Sequence, residues 1–292
     1  MKEIYIRTMQ GIGDTFWCFQ KLLPYFDKIN PIVLVDKHCK DMDPRGVVRR
    51  AESWLPLFPG CGKVSYEFAD VNDEYLRIAG TTYSIQDLID GYENGQRTFD
   101  YAMNNPLERG VMIEDVDPHH EIYYNLDVKN TPCPRAFEGS DYFVFYASGA
   151  TGSKDVQKAT GAWTLTKWKK LLEEAFQRMK LPCIFVGASY DSEVLHELKA
   201  YADMSGHKSH IYINSYPANV IWLLKNAKFY IGYQSGLSIM AENQLTPQIE
   251  LIFNHYDLMP ETWARPDGRK SRHNGFIFDT PFEEVAEAIP VF

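Results

Sequence analysis

One feature constrains this chain more than any other: from Tyr142 to Phe253, short apolar runs alternate with segments of helical period. The runs are YFVFYA (142–147), CIFV (183–186), IYI (211–213), FYIGY (229–233) and IELIF (249–253). Between them, WTLTKWKKLLEEAFQRM (163–179) repeats Leu165, Trp168, Leu172, Ala175 and Phe176 at three- and four-residue spacing, which predicts a helix with one apolar face. DSEVLHELKAYA (191–202), YPANVIWLLKNA (216–227, with Pro217 in the first turn) and GLSIMAENQ (236–244) read as further helices. Strand, helix, strand repeated in this way specifies a parallel sheet covered by helices, a Rossmann-like layer.

The first half begins similarly, with strands expected at Glu3–Thr8, Ile32–Val35 and Val64–Phe68 and helices at Thr15–Phe26 and Val47–Leu57. Beyond residue 70 the pattern blurs into acidic, Tyr-rich segments. At 292 residues the chain has room for two medium domains. The polar KNTPCPRAFEGSD (129–141) is the expected joint. The expected organisation is an N-terminal Rossmann-like, acceptor-binding domain (1–135), a C-terminal Rossmann-like, nucleotide-sugar-binding domain (136–275) and a C-terminal helix (276–292). In this α/β architecture the two parallel sheets would face a central cleft, where ligands bind.

The formal charge of −9 argues against a dedicated binder of duplex DNA or anionic membranes, which needs a basic surface. Five cysteines with no CxxC pair fit buried thiols in a reducing compartment. The sequence shows no signal-peptide core and no membrane-length apolar run, so stable membrane insertion is not expected and a cytoplasmic location is. No His/Cys/Asp/Glu spacing suggests a metal site, and the adjacent pair His119-His120 would point in different directions on any regular element.

Four stretches carry candidate chemistry. In MQGIGDTFWCFQKLLP, Gly11 and Gly13 suggest a phosphate turn, but a third glycine and a Gly-Lys-Ser/Thr are both lacking. Asp14 would repel a phosphate at that helix start. It is either an N-cap or a carboxylate kept for general-base work on a substrate hydroxyl. In YASGATGSKDVQKATGAW, Ser148, Thr151 and Lys158 sit in a small-residue loop that is either solvated or an anion cradle. In FYIGYQSGLSIMAENQ, a strand delivers Gln234, Ser235, Gly236 and Leu237 to a helix start, again a backbone anion site; Glu242, farther along, is expected to face solvent. The basic ARPDGRKSRHNG (264–275), after the last expected strand, is a solvated loop or meets a phosphorylated ligand.

Taken in order, these stretches resemble the heptosyltransferase-like family 9 of glycosyltransferases, which has the GT-B fold. GIGDTFWCFQKLLP is similar to that family's GxGD turn and apolar helix, and YASGATGSKDVQKATGAWTLTKWKKLL to its hydroxyl-rich loop, Lys and Trp-containing helix. IGYQSGLSIMAENQLTPQIELIF is similar to its VGxDTGLSHLAAALGTPVVALF, while roughly residues 60 to 135 are unmatched. The resemblance implies sugar transfer from a nucleotide sugar to an acceptor hydroxyl, with inversion and with neither metal nor cofactor required. It implies Asp14 as the catalytic base. Ser148, Thr151 and Lys158, with the Ser235-Gly236-Leu237 backbone, would hold the donor diphosphate. Gln234, Ser235 and Ile239 stand where the family usually has Asp, Thr and His, so a heptose donor does not follow; the acceptor-facing first domain diverges from the family, so a lipopolysaccharide acceptor does not follow. The acceptor could be a glycan, a lipid-linked glycan or, with Arg45–Arg50 and Arg265–Arg272 tracking phosphate, a nucleobase or nucleic acid. A non-catalytic nucleotide-sugar-binding protein and a nucleotide-sugar epimerase fit the same plan. A nicotinamide dehydrogenase fits least, because its glycine fingerprint fails.

Overall fold

A computed structural model describes residues 2–7, 29–36, 65–69, 75–78, 81–84, 140–147, 163–215, 217–252, 273–277 and 279–292. The chain divides into two compact units, Met1–Asp127 and Val128–Phe292.

In the first unit, strands β1 (Lys2–Arg7), β2 (Ile29–Asp36) and β3 (Ser65–Ala69) form a parallel sheet in the order β1-β2-β3. Lys2 pairs with Ile29 and Ile32 with Ser65, so the three expected strands lie side by side in chain order. An antiparallel hairpin, β4 (Tyr75–Ile78) and β5 (Thr81–Ser84), comes next, where the sequence pattern blurred. The expected helices at 15–26 and 47–57 lie outside the described residues.

In the second unit, strands β6 (Phe143–Tyr146), β7 (Cys183–Gly187), β8 (Ser209–Ile213), β9 (Phe229–Tyr233), β10 (Gln248–Ile252) and β11 (His273–Ile277) form one parallel sheet. Its order is β11-β10-β9-β6-β7-β8. This is the doubly wound arrangement, whose topological switch point falls between the first and fourth strands, here β6 and β9. The inner strands β6, β7, β9 and β10 are buried, and strands buried on both faces need apolar side chains, which is why these four read as apolar runs. The edge strand β11 was not anticipated: the sheet does not end at β10, and His273 belongs to a strand rather than to a basic loop.

Helices α1 (Leu165–Met179), α2 (Ser192–Met204), α3 (Pro217–Asn226) and α4 (Gly236–Asn243) join the strands, and α5 (Phe282–Glu287) closes the chain. Thr164 caps α1, its side chain accepting from the Lys167 amide at 3.3 Å. From α1 the side chains of Trp168, Leu171, Leu172, Ala175, Phe176 and Met179 are buried, while Leu165 lies at the margin of that face. Phe176 meets Phe143 and Trp168 meets Phe145 edge to face, with centroids 5.4 and 5.5 Å apart. Within the terminal segment the helix is only Phe282–Glu287, and Phe276 and Ile277 belong to β11. Arg178 holds the end of α5 and the residues just beyond it, donating to the Glu287 and Ile289 carbonyls at 3.2 and 2.8 Å.

Candidate functional site

The carboxyl end of β9 leads directly into the start of α4. Ser235 is extended (φ −165°, ψ 176°) and stands as N-cap, its Oγ accepting from the Leu237 amide at 3.2 Å. Ser238 reciprocates: its Oγ accepts from the Ser235 amide at 3.0 Å and donates to the Ser235 carbonyl at 2.8 Å. The Gln234 amide donates to the Leu251 carbonyl at 2.9 Å, tying the turn to β10. Gln234, Ser235, Gly236 and Leu237 are thus contiguous and half-buried at a positively polarised helix end, beside the switch point. The other six anticipated residues, Gly11, Gly13, Asp14, Ser148, Thr151 and Lys158, lie outside the described residues, as do Arg45–Arg50 and Arg265–Arg272.

Beneath this turn lies a layer of buried hydroxyl and carboxyl groups that the sequence did not reveal. Tyr230, Tyr146 and Asp191 are all buried. Tyr146 pairs in register with Gly232, which pairs in turn with Glu250 on β10. A Cβ on Gly232 would overlap the Tyr230 hydroxyl, lie 2.8 Å from its Cζ and come within 3.0 Å of the Tyr146 carbonyl oxygen. The backbone there needs no left-handed conformation, so the glycine is required by space alone: the Tyr230 ring lies across it. That route carries the Tyr230 hydroxyl to the carboxyl end of β9. There it donates to the Tyr233 carbonyl at 3.5 Å. Burial pushes the Tyr230 phenol up, the nearby Ser235 hydroxyl pulls it partly back, and the Glu250 and Asp191 carboxylates raise it further, so it stays protonated.

Asp191 ends the short turn Ser189–Asp191 after β7 and points inward. Its Oδ2 accepts from the Ala188 amide at 2.8 Å, and its carboxyl acts electrostatically on the Tyr146 phenol. Burial first, then Asp191, holds that phenol well above its usual range. Asn214, in a left-handed conformation (φ 54°), joins the ends of β7 and β8. Its amide donates to the Gly187 carbonyl at 3.0 Å, and its Oδ1 accepts from the Ser189 amide at 2.8 Å.

A third hydroxyl anchors the turn from the other face of the sheet. Trp168 Nε1 donates to Tyr233 Oη at 3.0 Å, and Tyr233 Oη donates to the Trp163 carbonyl at 3.5 Å. Burial raises the Tyr233 phenol to about 12. The expectation that Glu242 faces solvent is overturned: Glu242 is 1% exposed, and its Oε2 accepts from Gln248 Nε2 at 3.3 Å. A carboxylate at this depth is retained only with hydrogen-bonding partners, and the buried amide of Gln248 is one. Among the described residues no group of three or more His, Cys, Asp and Glu side chains could hold a metal ion, and no helix is long and apolar enough to cross a membrane. A signal for the hidden layer existed in retrospect: tyrosines in otherwise apolar strands, one of them two residues before a glycine.

No family model and no curated protein sequence matches the chain. Solved structures do. The E. coli ADP-heptose LPS heptosyltransferase II aligns over 98% of this chain and 97% of its own, at 11% identity and a TM-score of 0.57. A glycosyl transferase family 9 structure from Veillonella parvula DSM 2008 aligns over 94% of this chain and 86% of its own, at 10% identity and a TM-score of 0.53. At such identities the likeness speaks for architecture and not for activity. It agrees with the six-stranded parallel sheet and its helices, and the chain has the GT-B glycosyltransferase fold.

Proposed function

We propose that the chain is an inverting, metal-independent glycosyltransferase that moves a sugar from a nucleoside-diphosphate sugar to an acceptor hydroxyl in the cytoplasm. The observation that carries the reading is the placement of Gln234–Leu237. The hydroxyl-bearing turn opens a helix at the switch point of the second unit's sheet, on a fold shared with glycosyltransferase structures. The stretch holding Ser148, Thr151 and Lys158 comes after β6, the strand on the other side of that switch point.

In this reading Asp14 takes the proton from the acceptor hydroxyl. The acceptor oxygen attacks the anomeric carbon from the face opposite the leaving group. A new C–O bond forms, the bond to the diphosphate breaks, and the configuration inverts. Negative charge then grows on the departing nucleoside diphosphate. Lys158, the Ser148 and Thr151 hydroxyls and the positive end of α4 stabilise that charge, a task a metal ion performs in other enzymes.

The test is transfer from a panel of nucleotide sugars to candidate acceptors, with Asp14→Ala beside the wild-type chain. Loss of transfer with retained donor binding is expected; transfer at the wild-type rate by Asp14→Ala contradicts the assignment. One observation favours a second reading, a non-catalytic nucleotide-sugar-binding protein. Gln234 and Ile239 occupy the helix start where the resembled family carries an acid and an imidazole. Slow donor hydrolysis that is lost in Asp14→Asn would decide for the enzyme.

A further inference from the structure

We propose that Tyr190 is the base-stacking platform of the donor site, its ring face taking the nucleobase of a nucleoside diphosphate whose phosphates lie at the start of α4. This rests on the donor-binding role proposed for that helix start.

Tyr190 stands in the turn after β7, and the backbone on either side of it is pinned. Gly187, the last residue of β7, has no room for a side chain: a Cβ there would lie 2.5 Å from Leu195 Cδ1 and 3.0 Å from Asp191 Oδ2. The glycine is what lets Asp191 fold under the turn. Asp191 then bonds Ala188 twice, Oδ2 accepting from its amide at 2.8 Å and the Asp191 amide donating to its carbonyl at 3.0 Å. The Ser189 amide donates to Asn214 Oδ1 at 2.8 Å, and the Asn214 amide returns to the Gly187 carbonyl at 3.0 Å. Asn214 holds a left-handed φ of 54°, in a region that non-glycine residues enter sparingly and that recurs at functional sites. Amid this bonding the Tyr190 side chain is 59% exposed.

The sheet sets this turn at the right distance from α4. Phe185 on β7 and Ile231 on β9 both pair with Phe145 of β6, so Gly187 and Tyr233, two residues further along, end their strands level with each other. Only β6 separates the two strands, and two spacings of about 4.8 Å put their carboxyl ends about 10 Å apart. A ribose and a phosphate bridge a comparable length between the base and the terminal phosphate of a nucleoside diphosphate. With its diphosphate at Ser235 and its nucleoside laid across β6, the ligand sets its base over Tyr190. Of the other exposed large apolar side chains among the described residues, Met204 ends α2, and Val291 and Phe292 end the chain. Every nucleobase has a π-face, so the platform supplies affinity for the nucleoside without choosing the base.

Tyr190→Ala removes a solvent-facing ring, so the fold is retained, and Tyr190→Phe keeps the ring face without the hydroxyl. Calorimetric titration of the full chain with adenosine, uridine and guanosine diphosphates, and with inorganic pyrophosphate, reads both variants. Tyr190→Ala is expected to bind the accepted nucleoside diphosphate about five- to a hundredfold more weakly, the size of one base–aromatic stack, with pyrophosphate affinity unchanged. Tyr190→Phe is expected to stay within about twofold of the wild type. In proton spectra the base protons of the bound nucleotide should move upfield in the wild-type complex and not in that of Tyr190→Ala. Wild-type affinity in Tyr190→Ala overturns the proposal and leaves the donor site standing. Pyrophosphate binding that weakens by the same factor overturns it as well, marking a general structural effect, and Tyr190→Phe as weak as Tyr190→Ala overturns stacking in favour of the hydroxyl. A wild-type chain that binds none of these ligands overturns the donor-site reading and this proposal with it.

Discussion

The amino-terminal halves of β6 and β9 and their carboxyl ends lie in the same strands, yet they are built on different principles. Phe143, Val144, Phe145, Phe229 and Ile231 are buried, Phe143 against Phe176 and Phe145 against Trp168 and Phe185, and close apolar packing is the stabilising term there. At the carboxyl ends, buried polar side chains gather beside the half-buried Ser235: Tyr146, Asp191, which accepts from the Ala188 amide, and the hydroxyl of Tyr230, which donates to the Tyr233 carbonyl. A polar group in that position stabilises only while its partners stay in place. The fold uses its apolar half as the support and its polar edge to set the geometry of the turn.

This contrast is sharpest when each half is damaged in turn. Trp168→Ala empties a site that is 1% exposed and removes the donor to Tyr233 Oη. A loss of about 3–5 kcal/mol in chemical denaturation of the second unit is expected. Asp191→Ala strands the Ala188 amide, and a loss of about 1–3 kcal/mol is expected in the same experiment. Asp191→Asn keeps an acceptor for Ala188 and should cost less. Equal costs for the two would mean that neither the filled space nor the acceptor for Ala188 stabilises the site, erasing the distinction between the halves.

The difference also governs what could be read from the sequence. β6, β7, β9 and β10 were legible because buried inner strands leave apolar runs, and α1 because its apolar stripe is buried. β11 was not, since HNGFI at a sheet edge carries no such run. The β4–β5 hairpin is too short to stand out among Tyr-rich segments. Glu242 breaks the expectation because a helical carboxylate ordinarily faces water, whereas tertiary contacts, the bond from Gln248 among them, hold it inside. The start of α4 was marked by Ser235-Gly236, but its supporting tyrosines were not. Asp191 acts electrostatically on Tyr230 from a turn far away in sequence.

Two smaller effects complete the comparison. Tyr233 has its phenol raised to about 12, against about 10 in the unfolded chain, so its neutral form favours folding. That contribution is complete below about pH 10 and is lost as the pH rises toward 12. An alkaline loss on the order of 1 to 2 kcal/mol is expected, absent in Tyr233→Phe when stability is followed against pH. On the solvent side, Lys169 Nζ meets Glu197 Oε1 at 2.7 Å in a pair open to water. Lys169→Ala should cost less than about 1 kcal/mol, and less still in high salt.

The central claim is that the second unit recognises the diphosphate of a nucleotide sugar and that Asp14 acts only in the chemistry. Calorimetric titration of the wild-type and Asp14→Asn chains with a panel of nucleotide sugars, their diphosphates and their nucleosides tests it directly, with turnover followed in the same samples. The account predicts that at least one nucleotide sugar binds, that its diphosphate supplies most of the affinity, and that Asp14→Asn binds equally well but does not turn over. Absence of binding across the panel, nucleosides that bind as tightly as their diphosphates, or full turnover by Asp14→Asn would contradict it.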